Sequence, residues 1–383
     1  MTKTIRLQAL GCALAALALA GTTVASILVS NNGHASVLVR MSAAEPMAQF
    51  ARQADPSFDF VPVQDHYDGV YFYAIAMDPL ARGPQHAAID QAAYRYSHAG
   101  FGLLAWLFAA GYNHEIPIVL LVLNLLGVAV GAAAASLIAS HYGRSGWWGL
   151  AIALSPGLVY AVTADTSEPV GIALAAAGVL AWLSRKRIVA AVLLSVAVLC
   201  KEPFLVVPLG LLAWDGIQGW RARTSPLSWQ LMALVAPIAV FGGWQVYIRT
   251  RFGMWGLFAG KQVLQLSHPL RGWFDAIRFS NFYSVESFDR MTIGTIVLPL
   301  LLVFGMLRLI GSVRSLFLRS PFALMFLAVA ILSMFLSWLA LFYPKDLLRW
   351  SSIPLALLPG VFIDARAPAR SEQPVDEPAP EMV

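Results

Sequence analysis

Long apolar runs separated by short polar links occupy almost the whole chain. The runs fall at about 7–30, 116–140, 147–162, 169–183, 188–200, 204–214, 229–248, 291–311, 321–343 and 350–363. Stretches of roughly 15 to 25 apolar residues match a hydrocarbon slab about 30 Å thick, and lipid forces them to be helical because exposed backbone groups find no water there. The pattern predicts an all-α, polytopic integral membrane protein, a bundle of about ten transmembrane helices forming one membrane domain over 1–363. Runs 188–200 and 204–214 are too short to span upright and read as half-helices broken at Lys201-Glu202-Pro203, where proline removes a helix hydrogen bond. The segment 99–111 is short enough to be re-entrant; if it crosses instead, every later orientation inverts.

Charge orients the bundle. Arg144, Arg185-Lys186-Arg187, Arg221 and Arg223, Arg308 to Arg319, and Arg366 fall on alternate links, so one face is basic and is placed in the cytoplasm with both termini. The other face then collects the polar loops 31–98 and 249–290, together with Thr163 to Pro169, Lys201 to Pro203 and Tyr343 to Trp350. Arg249 and Arg251 lie on that outer face and run against the trend. Lys3 and Arg6 precede the first run, a pattern shared by a secretory signal and a membrane anchor; at about 22 residues the run is longer than a signal core, which favours a retained anchor.

Composition narrows the class further. Hydrophobic residues make up 58% of 383 and charged ones 12%, which excludes a nucleic-acid-binding domain despite a net charge of +5. Cys12 and Cys200 both sit in apolar runs and read as small core residues, not as a disulfide or a metal site. No repeat of 20–50 residues is visible, and 364–383, rich in Pro, Glu and Ala, reads as a disordered cytoplasmic tail. The Ala/Gly/Arg-rich composition fits a bacterial inner membrane.

Chemistry is concentrated in Asp65-His66-Tyr67-Asp68-Gly69-Val70-Tyr71-Phe72-Tyr73, just after the first run. Carboxylates beside aromatic rings at a bilayer surface fit an enzyme working there, with Tyr67, Tyr71 and Tyr73 as a sugar platform; the same rings also suit an interfacial belt. Asp68 and Asp65 share a face if the segment is helical, and either is as much at home as a helix cap. Asp165 and Glu168 lie one turn apart, placed to bind an acceptor or a divalent cation such as Mg2+ or Mn2+, or to cap a helix. Nothing else calls for a metal, and His66, His86, His98 and His268 read as polar loop residues. Arg349 is the favoured phosphate clamp, with Lys345, Arg249, Arg251 and Lys261 as alternatives that serve equally as interfacial anchors. Lys201 and Glu202 interrupt an apolar stretch, where charge is costly unless it lines a wet cavity or is paired.

Tyr67-Asp68-Gly69-Val70-Tyr71-Phe72 with Ile75-Ala76, followed by Tyr94-Arg95-Tyr96, Leu154-Ser155-Pro156-Gly157, Ala164 to Pro169 and Lys201-Glu202-Pro203, resembles the GT-C glycosyltransferases in order over most of the chain. The first motif is similar to the acidic loop of GPI-anchor-type mannosyltransferases and their bacterial relatives. The resemblance implies transfer of a hexose or pentose from a polyprenyl-phosphate donor to a glycan, glycolipid or protein acceptor, on the extracytoplasmic face and with inversion. It also implies that Asp68 is the general base, with Asp65 the runner-up. His66-Tyr67 departs from the basic–aromatic pair common before that acid, and no soluble C-terminal domain is evident. The residues alone leave two other classes open: a transporter or flippase for lipid-linked sugars, and a non-catalytic membrane subunit of an envelope-assembly complex.

Overall fold

The computed structural model describes residues 2–221, 229–259, 266–279, 320–342 and 344–362, with residues 300, 302, 303 and 305. Among these the chain is helical, with no strand beyond two isolated bridges. Lys261, most of the expected span 291–311 and the tail 364–383 lie outside the described residues.

Helix α1, Lys3–Val29, starts where the Thr2 hydroxyl accepts the Ile5 amide. Its inner stripe is Cys12, Ala16, Ala20 and Val24, while Leu7, Leu10, Leu14 and Leu19 face outward. Small residues four apart let a second helix approach closely, and α6, Ile116–His141, takes that place. Both, with Leu231–Phe252 in α12 (Trp229–Phe252), are long and apolar enough to cross a membrane by length and composition. Helices α9 (Glu168–Leu183) and α10 (Arg187–Cys200) form a hairpin, and α11 (Val206–Arg221) turns back after Lys201–Leu205, bringing Asp215 to Arg187 at the start of α10, so 188–200 and 204–214 are two separate passes and not the halves of one broken helix. Cys12 and Cys200 are free and buried, as their apolar surroundings require.

Several expected elements are divided or extended. Run 147–162 is not one helix: a 3-10 turn, α7 (Leu150–Ala153) and α8 (Pro156–Val162) replace it, because Pro156 starts a new helix after Ser155. Run 321–343 divides into α15 (Pro321–Met334) and α16 (Trp338–Phe342), and the last helix, α17 (Pro344–Val361), begins six residues before the apolar run does. The segment 99–111 holds only α5 (Gly100–Ala109), about 15 Å long at 1.5 Å per residue. Residues 113–115 after it come back against α2 (Ala48–Ala54), so it does not traverse the bundle.

The interval 31–98 is not a plain loop. Short helices fold over one end of the bundle around Met41, Met47, Ala51, Phe58 and Phe101, and α3 (Gly69–Met77) is buried on all sides. At about 14 Å it cannot span a bilayer, and a helix apolar all round belongs inside protein. Gly69 permits this: a Cβ there would lie 2.6 Å from the Val39 carbonyl oxygen and 2.8 Å from that of Ala164.

Candidate active site

Four helix ends meet beneath the folded 31–98 segment: the N-termini of α3, α9 and α17, and the C-terminus of α10. Each brings a charge that a helix interior would not tolerate. Arg349, only 5% exposed, is the hub. Its Nη1 lies 2.7 Å from Asp68 Oδ2 and 3.7 Å from Asp346 Oδ1, and its Nη2 lies 2.7 Å from Glu168 Oε1. Lys201 Nζ reaches the same Glu168 oxygen at 2.5 Å. Arg95 Nη1 approaches Asp68 Oδ1 at 3.3 Å from the opposite side. Three acids therefore face three cations, which is how buried charge escapes its desolvation cost.

Tyr67 sits inside this network. Its hydroxyl accepts from Arg349 Nη1 at 2.8 Å and donates to Asp346, and Lys345 Nζ lies 4.3 Å above its ring. Tyr71 carries the Arg95 guanidinium 3.5 Å over its ring. Tyr73 is different. It is fully buried and packs on Phe58 at 5.4 Å, so it is a core residue and not part of a sugar platform.

Asp68 occupies the N-cap position of α3 yet makes no capping hydrogen bond, because both carboxylate oxygens go to arginines. Burial alone would raise its pKa, but Arg349 and then Arg95 outweigh burial and hold the carboxyl at about 2. Its side chain is 29% exposed while that of Glu168 is 0%, so Asp68 is the edge of the cluster that a substrate can reach. Asp65 takes no part. It ends a 3-10 turn, faces solvent and is separated from α3 by His66 and Tyr67, so the two acids share no helical face.

Glu168 joins the cluster, but Asp165 does not. Asp165 is fully buried at φ 44°, and burial pushes its pKa well above the carboxylate range against the opposing pull of Asn124 and Arg40. The pair thus forms no joint cation site, and no group of three His, Cys, Asp or Glu suited to a metal ion occurs among the described residues. Ser167, at the N-cap of α9, makes no side-chain cap either. Lys201 and Glu202 pair outward instead of with each other: Glu202 Oε2 lies 2.5 Å from His98 Nε2. Arg249 lies beside Trp255 and Arg251 donates to the Ala81 carbonyl, so neither enters the cluster. Arg95 and Asp346 are members named only within the motifs Tyr94-Arg95-Tyr96 and Lys345-Asp346, while His98, expected as a polar loop residue, is instead buried against Glu202.

In comparisons with known proteins, no family model, no curated protein and no solved structure matches this chain. The functional reading rests on the cluster itself.

Proposed function

We propose that the protein is a membrane glycosyltransferase of GT-C type, moving a hexose or pentose from a polyprenyl-phosphate donor to an extracytoplasmic glycan, glycolipid or protein acceptor with inversion. The observation that carries this reading is the meeting of an accessible Asp68 with Arg349 and Arg95 at one end of the bundle. A polyprenyl-phosphate sugar already bears its leaving group. Transfer needs a carboxylate to take the acceptor proton and cations to hold the departing phosphate, with no metal required.

A carboxyl held at about 2 is a weak base, so its arginines must be drawn off before it works. Donor phosphate supplies the negative charge that Asp68 now gives to Arg349 and Arg95. When those cations turn to phosphate, Asp68 regains basicity in the same event that seats the donor. Lys345 stands beside Tyr67 as a further cation for the phosphate, and Glu168 keeps Arg349 and Lys201 in place from below. Ten crossings, an extracytoplasmic site and a bacterial inner membrane complete the proposal, since Lys3, Arg6, Arg144 and Arg185 to Arg187 lie toward the opposite end from Asp68.

The test is Asp68→Asn in purified, donor-loaded protein. Turnover falls by roughly two to four orders of magnitude while donor affinity is kept, because the amide preserves size but accepts no proton. Near-normal turnover with loss in Asp65→Asn would show the base misassigned, and indifference to both would reject the transferase. A second reading, a flippase for lipid-linked sugars, draws on one feature: the α10–α11 turn with the charges of Lys201 and Glu202 in it. Transbilayer movement of labelled donor in proteoliposomes, abolished at the turn but not by Asp68→Asn, would favour it.

A further inference from the structure

Beside the ion-pair cluster lies an open cavity of about 590 Å3, with Ser42, Glu45, His66, Tyr71 and Asp90 as its polar lining and Ala88 on its apolar wall. Small-molecule sites occupy roughly 300–1,000 Å3, so the volume is that of a ligand pocket. One wall is built in advance of any ligand. Glu45 Oε1 accepts the Ser42 amide at 2.6 Å and faces His66 Nδ1 at 2.8 Å. Both contacts use Oε1 of a residue that lines the cavity. The His66 ring then stands edge-on to Tyr71, with Nε2 3.5 Å from the Tyr71 hydroxyl.

This wall leads to Asp68. The Tyr71 ring separates cavity from cluster and carries Arg95 at 3.5 Å, and Arg95 bonds both Asp68 at 3.3 Å and the lining residue Asp90 at 3.4 Å. A group held by Glu45 and His66 therefore lies across Tyr71 and Arg95 from the proposed base, so what binds here is a part of the acceptor remote from its reacting hydroxyl. The lining has two carboxylates, an imidazole and two hydroxyls, and no lysine or arginine. Carboxylates receive hydroxyl donors and repel anions, and a small apolar wall suits the C–H face of a sugar ring.

We infer that this cavity is the acceptor subsite, taking a neutral, hydroxyl-bearing carbohydrate end, with Glu45 and His66 fixing its specificity. The inference rests on the transferase reading for its role, but binding is measured without the donor. Full-length protein in lipid nanodiscs is titrated with a methyl hexoside, a hexose 6-phosphate and an unglycosylated serine peptide, followed by saturation-transfer NMR. The hexoside binds best. Glu45→Gln weakens it roughly tenfold, the value of one charge-assisted hydrogen bond, and Ala88→Trp, which fills the cavity from its apolar wall, abolishes it. Thermal midpoints near the parent value exclude misfolding, and the conservative Glu45→Gln carries the test should the tryptophan misfold. Absent hexoside binding, binding unchanged in both variants, or stronger binding of the phosphate or the peptide overturns the subsite. Hexoside binding without any sugar transfer would instead reject the transferase and leave the subsite standing. Transfer with an unchanged acceptor KM in both variants would do the reverse.

Discussion

An aspartate at a helix start ordinarily caps it, and Asp68 departs from that habit because two arginines outbid the backbone amides for its oxygens. The sign of its pH effect follows. A carboxyl lowered from 3.8 to about 2 stabilises the fold fully above its unfolded value and loses that contribution as pH falls toward 2. The thermal midpoint of the parent should stay level from neutral pH to about pH 5 and then fall more steeply than that of Asp68→Asn, a difference that a melting series in one detergent reads directly. Glu168 gives the complementary case. It is fully buried between Arg349 and Lys201, so Glu168→Ala removes the carboxylate that these two cations share and should cost about 3–5 kcal/mol, seen as aggregation or a collapsed melting point. Arg349, Lys201, Glu168 and Asp68 were legible because charge bordering an apolar run demands a partner. Tyr73 was misread because an aromatic residue within a motif does not declare whether it faces a ligand or the core. The Glu45–His66 pair left no trace, since 21 residues separate its members.

Among elements, the chain reveals helices better than it reveals where they stop. Hydropathy located α6 and α9 nearly to the residue but merged α7 with α8 and α15 with α16, because Ser155-Pro156 and Phe335-Leu336-Ser337 are too short and too apolar to interrupt a run. The break before α8 has a structural partner. Gly157 meets the backbone of α17, where a Cβ would overlap the Leu348 carbonyl oxygen, one residue before Arg349. Gly157→Ala should displace the start of α17, costing roughly 1–3 kcal/mol from overpacking and weakening donor binding as Arg349 shifts. Gly21→Ala is the control, since a Cβ there meets nothing within 4 Å and alanine favours the helix. Equal donor affinity in the two variants would mean that the contact does not set the position of Arg349.

For the molecule as a whole, contacts at the two ends of the bundle carry the topology. Gln8 of α1 accepts from the Gly146 amide, Arg144 donates to the Phe362 carbonyl at 2.9 Å, and Ser320 donates to the Gly360 carbonyl at 3.2 Å, which brings the start of α1, the 142–149 link, the start of α15 and the end of α17 to one end. Asp68, Glu168, Lys201 and Arg349 gather at the other. Since α5 does not traverse, the inversion that a crossing at 99–111 would impose does not arise. The first end carries Lys3, Arg6, Arg144 and Arg185 to Arg187, and it is the face that the proposed orientation puts in the cytoplasm. Arg249 and Arg251 remain at the acidic end, where Arg251 is held by the Ala81 carbonyl and serves the fold. Single cysteines follow from this in a chain whose native Cys12 and Cys200 are buried. Val63→Cys, exposed beside the cavity at 67%, should react with a membrane-impermeant maleimide in intact cells, while Arg185→Cys should react only after the membrane is opened. Labelling of position 185 from outside would turn the molecule over and place Asp68 in the cytoplasm, where an extracytoplasmic acceptor could not meet it.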